Sequence, residues 1–477
     1  MDSASLQFIL FGLAAAILSN LSRSSRWRTA VLLGASLAFV AAVAPGWTEM
    51  LPLAGFLAAG YFGIAAVRRR PNQTVSWICL VIAAYVWLKK YTFLPHSLFL
   101  PGTYFVLGLS YIFFRVLHLI IESGDQAGQP ESGPGKYLTY TLNFTTFVSG
   151  PIQRYSAFAE DQFAGAPAKL DTGVVAAQIE RMIRGYFKVN VAALLLSIVR
   201  SDALAKVIHP GPPATKALPA IELMALYPFF LYANFSGYID IVIALARLMR
   251  VRLPENFDRP FAAASFMDFW SRWHITLSTW LKTYVYNPLL LSLSRRFPAP
   301  ALQAPFAVTS LFVTFFLVGI WHGRTSEFAL FGVLQGGGVA LNLIWQLALI
   351  RQLGRKRYRN VANGTVYEAV GRGLSFTWFA FTLCWFWGDW GQLRAIYGGM
   401  EASWWLAVWG GMWLAMTFVL AAWEWLRGRL LRVQWGGVAV LHGPYARAVW
   451  TTAMVFVWFV IGLVIGQPAP EIVYKAF

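Results

Sequence analysis

Phe266-Met267-Asp268-Phe269-Trp270-Ser271-Arg272-Trp273-His274-Ile275-Thr276-Leu277-Ser278 opens a stretch that closes, beyond an apolar run, at Gly319-Ile320-Trp321-His322-Gly323. Each histidine follows a tryptophan. Phe266, Phe269, Trp270, Trp273, Leu277, Trp280, Leu281 and Tyr284 recur at three and four, which predicts one amphipathic helix over Phe266–Tyr286. Asp268, Arg272 and Lys282 are too many charges for a lipid-facing span, so this helix belongs at an interface or beside a cavity. The same spacing puts Trp270, His274, Ser278 and Leu281 in one row, with His274 on the aromatic side.

The sequence around this stretch is that of a membrane protein. The chain has 477 residues, of which 58% are hydrophobic and 13% charged, and its mean hydropathy is +0.55. That is too apolar for a soluble enzyme. Its repeated apolar runs match the ~20 residues that cross a bilayer core, and such spans are helical because lipid offers no partner for open backbone groups. The expected fold is all-α and polytopic, with about eleven transmembrane helices plus re-entrant or broken segments in a single domain over 1–477, its catalytic part near 104–350. The 22 Trp and 19 Tyr suit aromatic belts at both interfaces. The net charge of +18 fits positive-inside loops and anionic headgroups rather than nucleic acid. A basic funnel for an anionic donor could share those charges.

Loops at Arg23, Arg26 and Arg28 and at Arg68-Arg69-Arg70 alternate with loops poor in Lys and Arg, placing the N-terminus outside and the basic loops in the cytoplasm. The run Leu6–Leu21 reads as a retained first span, because Met1-Asp2-Ser3 supplies no basic n-region. Lys89-Lys90, at the end of an apolar run, must snorkel or face a polar interior. Residues Gly124 to Gly135 form a polar linker, and Lys136–Tyr155, cut by Gly150-Pro151, reads as a broken or re-entrant segment. Asn234 and Asp240 lie inside a span and should face the bundle interior. Arg351, Arg355, Lys356, Arg357 and Arg359 read as a cytoplasmic loop, and Gly332 to Gly338 as a close helix contact.

The chemistry falls to few residues. Cys79 and Cys384 are expected to be small buried hydrophobes without a disulfide. His96, His118, His209 and His442 are scattered, and with no HExxH or cysteine cluster no metal site is expected. Neither a GxSxG elbow nor a nucleotide-binding glycine loop is present. His322 reads either as a cap on the last helix carbonyls or as a general base with a near-neutral pKa. His274 reads either as a core imidazole or as an orienting or oxyanion-stabilising group. A transporter with Asp240, Asn234 and the histidines on a proton or sugar path is the rival class, but no inverted repeat supports it.

Taken together, the two histidine stretches, Ser149-Gly150-Pro151-Ile152-Gln153-Arg154-Tyr155, Phe235-Ser236-Gly237-Tyr238-Ile239-Asp240 and Pro254-Glu255-Asn256-Phe257 resemble the membrane-bound O-acyltransferase (MBOAT) family. The resemblance is closest to its bacterial branch of alginate O-acetylation and teichoic acid D-alanyl transfer proteins, and it includes a faint likeness at the ending Ile472 to Phe477. Two departures stand out. Asn234 occupies a position where the alginate type has aspartate, and Asn287-Pro288-Leu289-Leu290 lacks a Gly-Gly. The resemblance implies a ring of spanning and re-entrant helices, with a funnel and a tunnel meeting at the catalytic histidine. It implies catalytic roles for His322 and His274. Trp321, Trp273, Arg272, Asn234, Asp240, Gln153 and Arg154 are the expected substrate contacts. No bound cofactor is implied. The donor would be acetyl-CoA or an acyl-carrier thioester and the acceptor an extracytoplasmic glycan. The partner would be a periplasmic esterase-like acetyltransferase or a small acyl-carrier protein, at the bacterial inner membrane.

Overall fold

The computed structural model describes residues 5–471 except 101, 125–132, 164–166, 433, 436–437, 440–442 and 469. Most of the polar linker, His442, the first four residues and the ending from Ile472 therefore lie outside the described residues. Those described are helical apart from a two-residue hairpin, Gln434–Trp435 with Val438–Ala439, and the connecting turns.

Among the described residues, eight helices are long and apolar enough to cross a bilayer. They are Ser25–Val43, Thr48–Arg69, Pro71–Leu88, Pro213–Leu248, Pro300–His322, Ser326–Ala362, Ala402–Leu430 and Pro444–Ile465. The rest of the expected spans are shorter or interrupted. Leu6–Asn20 has 15 residues and Leu109–Gly124 has 16. A π-helical segment, Lys188–Ala193, joins Thr172–Phe187 to Leu194–Ile208, and Leu383 separates Thr365–Thr382 from Cys384–Trp387. Exposed apolar side chains such as Val449, Phe456 and Leu463 on Pro444–Ile465 are what a lipid-facing helix requires.

The described residues within Met1–Tyr186, Phe235–Glu255 and Glu471–Phe477 form one compact unit, and those within Phe187–Asn234 and Asn256–Pro470 form another. In the first, Phe8, Phe11, Phe39, Phe144 and Phe147 make an edge-to-face aromatic core. The segment expected to be broken is broken: a helix Pro134–Thr141 is followed by a 3-10 turn Phe144–Thr146 and extended chain. Its carbonyls are satisfied from within. Buried Arg115 donates to the carbonyls of Thr141 (2.8 Å), Tyr140 (3.2 Å) and Thr146 (2.5 Å). An irregular backbone at membrane depth persists only when protein or water supplies such donors.

Several surface assignments change. Arg28 sits within Ser25–Val43, fully buried, with Nη2 donating to the carbonyl of Asp161 at 3.2 Å. It is a structural donor rather than a loop charge. Lys89 is buried, while Lys90 reaches the Gly102 carbonyl at 3.2 Å and stands over the Tyr104 ring. Cys79 is exposed, which corrects the expected burial, whereas Cys384 is buried. The basic run after Ile350 is helical rather than a loop, but it does not simply prolong the span: Gly354 (φ 77°, ψ 155°) kinks the chain, and Arg355, Lys356, Arg357 and Arg359 lie on a second helix beyond it.

In the second unit, Gln303–His322 and Ser326–Ala362 form an antiparallel hairpin closed by glycine. A Cβ on Gly319 would lie 2.3 Å from the Gly332 Cα, and one on Gly336 would lie 2.6 Å from the Phe312 carbonyl oxygen. The glycine cluster is therefore a helix-packing surface, as expected. Thr365–Thr382 packs along Ala402–Leu430 around Met224, Phe376, Ala380, Met412 and Met416.

Candidate active site

The stretch Phe266–Tyr286 is not one helix. Ser265 caps its start, accepting the Asp268 N–H at 3.2 Å, and Asp268 pairs with Arg272 at 2.9 Å. The first segment stops at Arg272; Trp273 turns extended and His274 takes φ 45°, ψ 52°. A second helix, Ile275–Leu281, then begins and widens into a π-helical turn over Lys282–Tyr286. The expected row of Trp270, His274, Ser278 and Leu281 is lost, because helical spacing does not carry through a left-handed residue.

Long-range pairing causes the break. Phe257 and Trp273 form an antiparallel bridge, Asp258 N–H donates to the Arg272 carbonyl at 2.9 Å, and Ile275 N–H donates to the Asn256 carbonyl at 3.0 Å. Periodicity within residues 266–286 contains none of these partners. A left-handed conformation costs a non-glycine residue about 1–2 kcal/mol, and the pairing on both sides offsets it. Trp273 locks the turn from below, against Phe257 (5.1 Å between ring centroids), Phe269 (5.6 Å) and Phe379 (5.2 Å).

His274 is fully buried. Its Nδ1 lies 3.3 Å from Asn256 Oδ1, which also accepts the Thr276 N–H (3.1 Å) and hydroxyl (2.8 Å). Burial lowers its pKa from the ordinary value to about 3, so the imidazole is neutral at physiological pH.

His322 is the last residue of Gln303–His322 and is also buried. Its ring lies 4.7 Å from that of Trp321, 5.1 Å from Phe386 and 6.2 Å from Phe331. Glycine follows it for a steric reason: a Cβ at 323 would lie 2.0 Å from the Phe328 ring. Trp321 also meets the His274 ring edge-on at 6.3 Å. One indole thus packs against both imidazoles, and both are buried from solvent. In such surroundings a neutral imidazole can take up a proton and return it, and a reactive acyl group is kept from water.

The other expected contacts are placed as follows. Trp273 belongs to the aromatic core, and Arg272 is held by Asp268 and, at 3.8 Å, by Asp258. Asn234 is fully buried on Pro213–Leu248, with Nδ2 at 3.5 Å from the Pro470 carbonyl. Gln153, Arg154 and Asp240 belong to the first unit. There Gln153 donates to the Arg252 carbonyl at 3.0 Å, and Arg154 is exposed. Asp240 accepts from Arg181 at 2.9 Å, and Arg181 also grips Glu255 with both terminal nitrogens (2.7 and 2.6 Å). Among the described residues no His, Cys, Asp and Glu cluster could hold a metal. A groove of about 870 Å³ lined by Pro305, Val308, Ile344 and Arg351 lies toward the other end of the helix hairpin and takes in neither histidine.

Sequence reasoning assigned no role to Asn256, Phe331 or Phe386. The signal for Asn256 was its place in Pro254-Glu255-Asn256-Phe257, an amide in a short polar connector. Nothing local marked the two phenylalanines.

Several known proteins are similar to this chain. A teichoic acid D-alanyltransferase of Streptococcus thermophilus is 30% identical over 241 residues, which is 50% of this chain and 57% of that protein. A protein named "Probable alginate O-acetylase AlgI" from Pseudomonas fluorescens is 29% identical over 66% of this chain and 61% of its own length. A peptidoglycan O-acetyltransferase of Helicobacter pylori is 29% identical over 42% of this chain and 36% of its own length. The chain thus spans less than two thirds of each of these three relatives. The family model for membrane-bound O-acyltransferases matches residues 37–383, more than half of the chain and both histidine stretches. This multi-pass membrane protein belongs to the membrane-bound O-acyltransferase family.

Proposed function

We propose that the protein is an O-acyltransferase of the bacterial inner membrane. It takes an acyl group, foremost acetyl, from a cytoplasmic thioester (acetyl-CoA or an acyl-carrier thioester) and places it on hydroxyls of an extracytoplasmic polysaccharide or envelope glycan. Transfer is direct or runs through the serine of a periplasmic esterase-like partner. The acceptor oxygen bonds to the thioester carbonyl carbon and the C–S bond breaks. His322 takes the hydroxyl proton as general base and returns it to the departing thiolate. His274 positions His322 or stabilises the oxyanion. Trp321, Trp273, Arg272, Asn234, Asp240, Gln153 and Arg154 are proposed to shape or contact the substrate paths.

The observation that carries this reading is the contact of one buried indole, Trp321, with both imidazoles. The relatives support acyl transfer onto envelope polymers through their names, two of which are acetyl transferases. D-alanyl transfer from a small carrier protein is the second reading, favoured by the 30% identical teichoic acid enzyme.

Mass spectrometry of ester-linked acyl groups on envelope polysaccharides tests both. The strains to compare are wild type, a deletion, and the deletion complemented with His322→Ala. Loss of one acyl group that the variant fails to restore supports the reading, and the lost mass separates acetyl from alanyl. Full restoration by His322→Ala would remove His322 from the chemistry.

A further inference from the structure

Asn256 Oδ1 accepts the Thr276 N–H at 3.1 Å and the Thr276 hydroxyl at 2.8 Å. A backbone N–H can only donate, so the atom facing it is the amide oxygen, and the orientation of Asn256 is fixed by chemistry. The same oxygen faces His274 Nδ1 at 3.3 Å, and an amide oxygen can only accept. Nδ1 must therefore carry the proton. Because burial keeps the ring neutral, Nε2 carries the lone pair. Asn256 is itself fully buried, and its carbonyl accepts the Ile275 N–H at 3.0 Å, so both ends of the residue hold the left-handed turn at His274. Among the described residues its Nδ2 has no hydrogen-bond partner, so the contacts of this side chain run through the oxygen.

We propose that Asn256 is the positioning residue that locks His274 as the Nδ1–H tautomer, so that His274 enters the reaction as a hydrogen-bond acceptor at Nε2 and not as an oxyanion donor. The inference rests on the acyltransferase reading and chooses between the two roles given to His274 there. As an acceptor it holds the N–H of the His322 ring or the acceptor hydroxyl. The oxyanion is then left to other donors.

The test has an arm that needs no substrate. In full-length protein labelled with 15N-histidine, the His274 signals are identified by their loss in His274→Gln. The wild-type ring is expected to show a protonated Nδ1 and an unprotonated Nε2. In Asn256→Ala the two forms mix. An unprotonated Nδ1 in the wild type, or an unmoved tautomer in Asn256→Ala, overturns the proposal.

The second arm follows acyl transfer from 14C-acetyl-CoA in membranes. Asn256→Ala is expected to lose about 10- to 100-fold in kcat, the scale of a partner that orients a working histidine. Its KM for acetyl-CoA stays within about twofold, since no ground-state contact is removed. Asn256→Asp keeps the acceptor oxygen and no bond is lost with the amide nitrogen, so it restores turnover to within about fivefold of wild type. This variant also carries the test if Asn256→Ala fails to fold. Folded Asn256→Asp protein with turnover as low as the alanine variant would overturn the assignment. His322→Ala in the same assay separates the two levels. If it is inactive while Asn256→Ala turns over normally, only this inference fails; if it is active, the acyltransferase role of His322 fails.

Discussion

The Trp321 indole lies edge-on to the His274 ring at 6.3 Å and 4.7 Å from the ring of His322, its own neighbour in sequence. The same aromatic side chain thus packs against both histidines, although one stands at a break between short helices and the other at the end of a long one.

Replacing that indole should disturb both imidazoles together. Trp321→Ala is expected to reduce transfer on the order of 100-fold, the effect of misplacing reacting groups by about 1 Å. It should also destabilise by about 3–5 kcal/mol as a large core truncation. Trp321→Phe keeps a ring against His274 and should retain most activity. Initial rates in membranes and melting in detergent check both, and equal loss in the two variants would mean that the indole acts other than by packing.

His322→Gln is the sharper probe of chemistry. It keeps volume and hydrogen-bonding capacity but has no basic nitrogen, so transfer should fall to background while expression and donor binding persist. Binding of a non-hydrolysable acetyl-CoA analogue, measured beside turnover, separates the two effects.

His274 should leave a mark on stability as a function of pH. Its folded-state pKa is lowered to about 3, below the ordinary imidazole value. Above about pH 6.5 the ring is neutral in both states and contributes no pH dependence. Below that, the unfolded chain binds a proton that the native protein excludes, so stability falls as the pH drops from about 6.5 toward 3, at up to about 1.4 kcal/mol per pH unit. The wild-type minus His274→Gln difference in stability, measured across this window, should slope with that sign. A flat difference would show that water reaches the ring.

The outline of the fold was legible because lipid leaves few choices. Apolar runs such as Ala402–Leu430 announce themselves by length alone, and Gly150-Pro151 marks a segment that cannot continue as a helix. The site was half legible. The two Trp-His pairs stood out as polar groups in apolar sequence, yet periodicity drew a straight helix through His274. What bends the chain there is Asn256 and Phe257, which meet it only in the folded state. Arg28 misled for a related reason. Sequence counts it with a basic loop, and only the distant carbonyls of Asp161 and Gln162 make it a buried donor.

The approach of His322 to its neighbours depends on the glycine contact in the hairpin behind it. A Cβ on Gly319 would sit 2.3 Å from both the Cα and the N of Gly332, and backbone atoms cannot rotate away as a side chain could. Gly319→Ala must therefore push Gln303–His322 and Ser326–Ala362 apart at a point one helical turn before His322. The expected cost is about 1–3 kcal/mol, as for overpacking elsewhere, with a loss of transfer larger than that destabilisation alone would produce. Gly337→Ala is the matched control: it lies on the same long helix, a Cβ there meets nothing within 4 Å, and replacing a helical glycine should gain about 0.5–1 kcal/mol. Melting temperature and transfer rate for the two variants decide the matter. If Gly319→Ala melts and turns over like Gly337→Ala, close contact between these two helices is not what places His322.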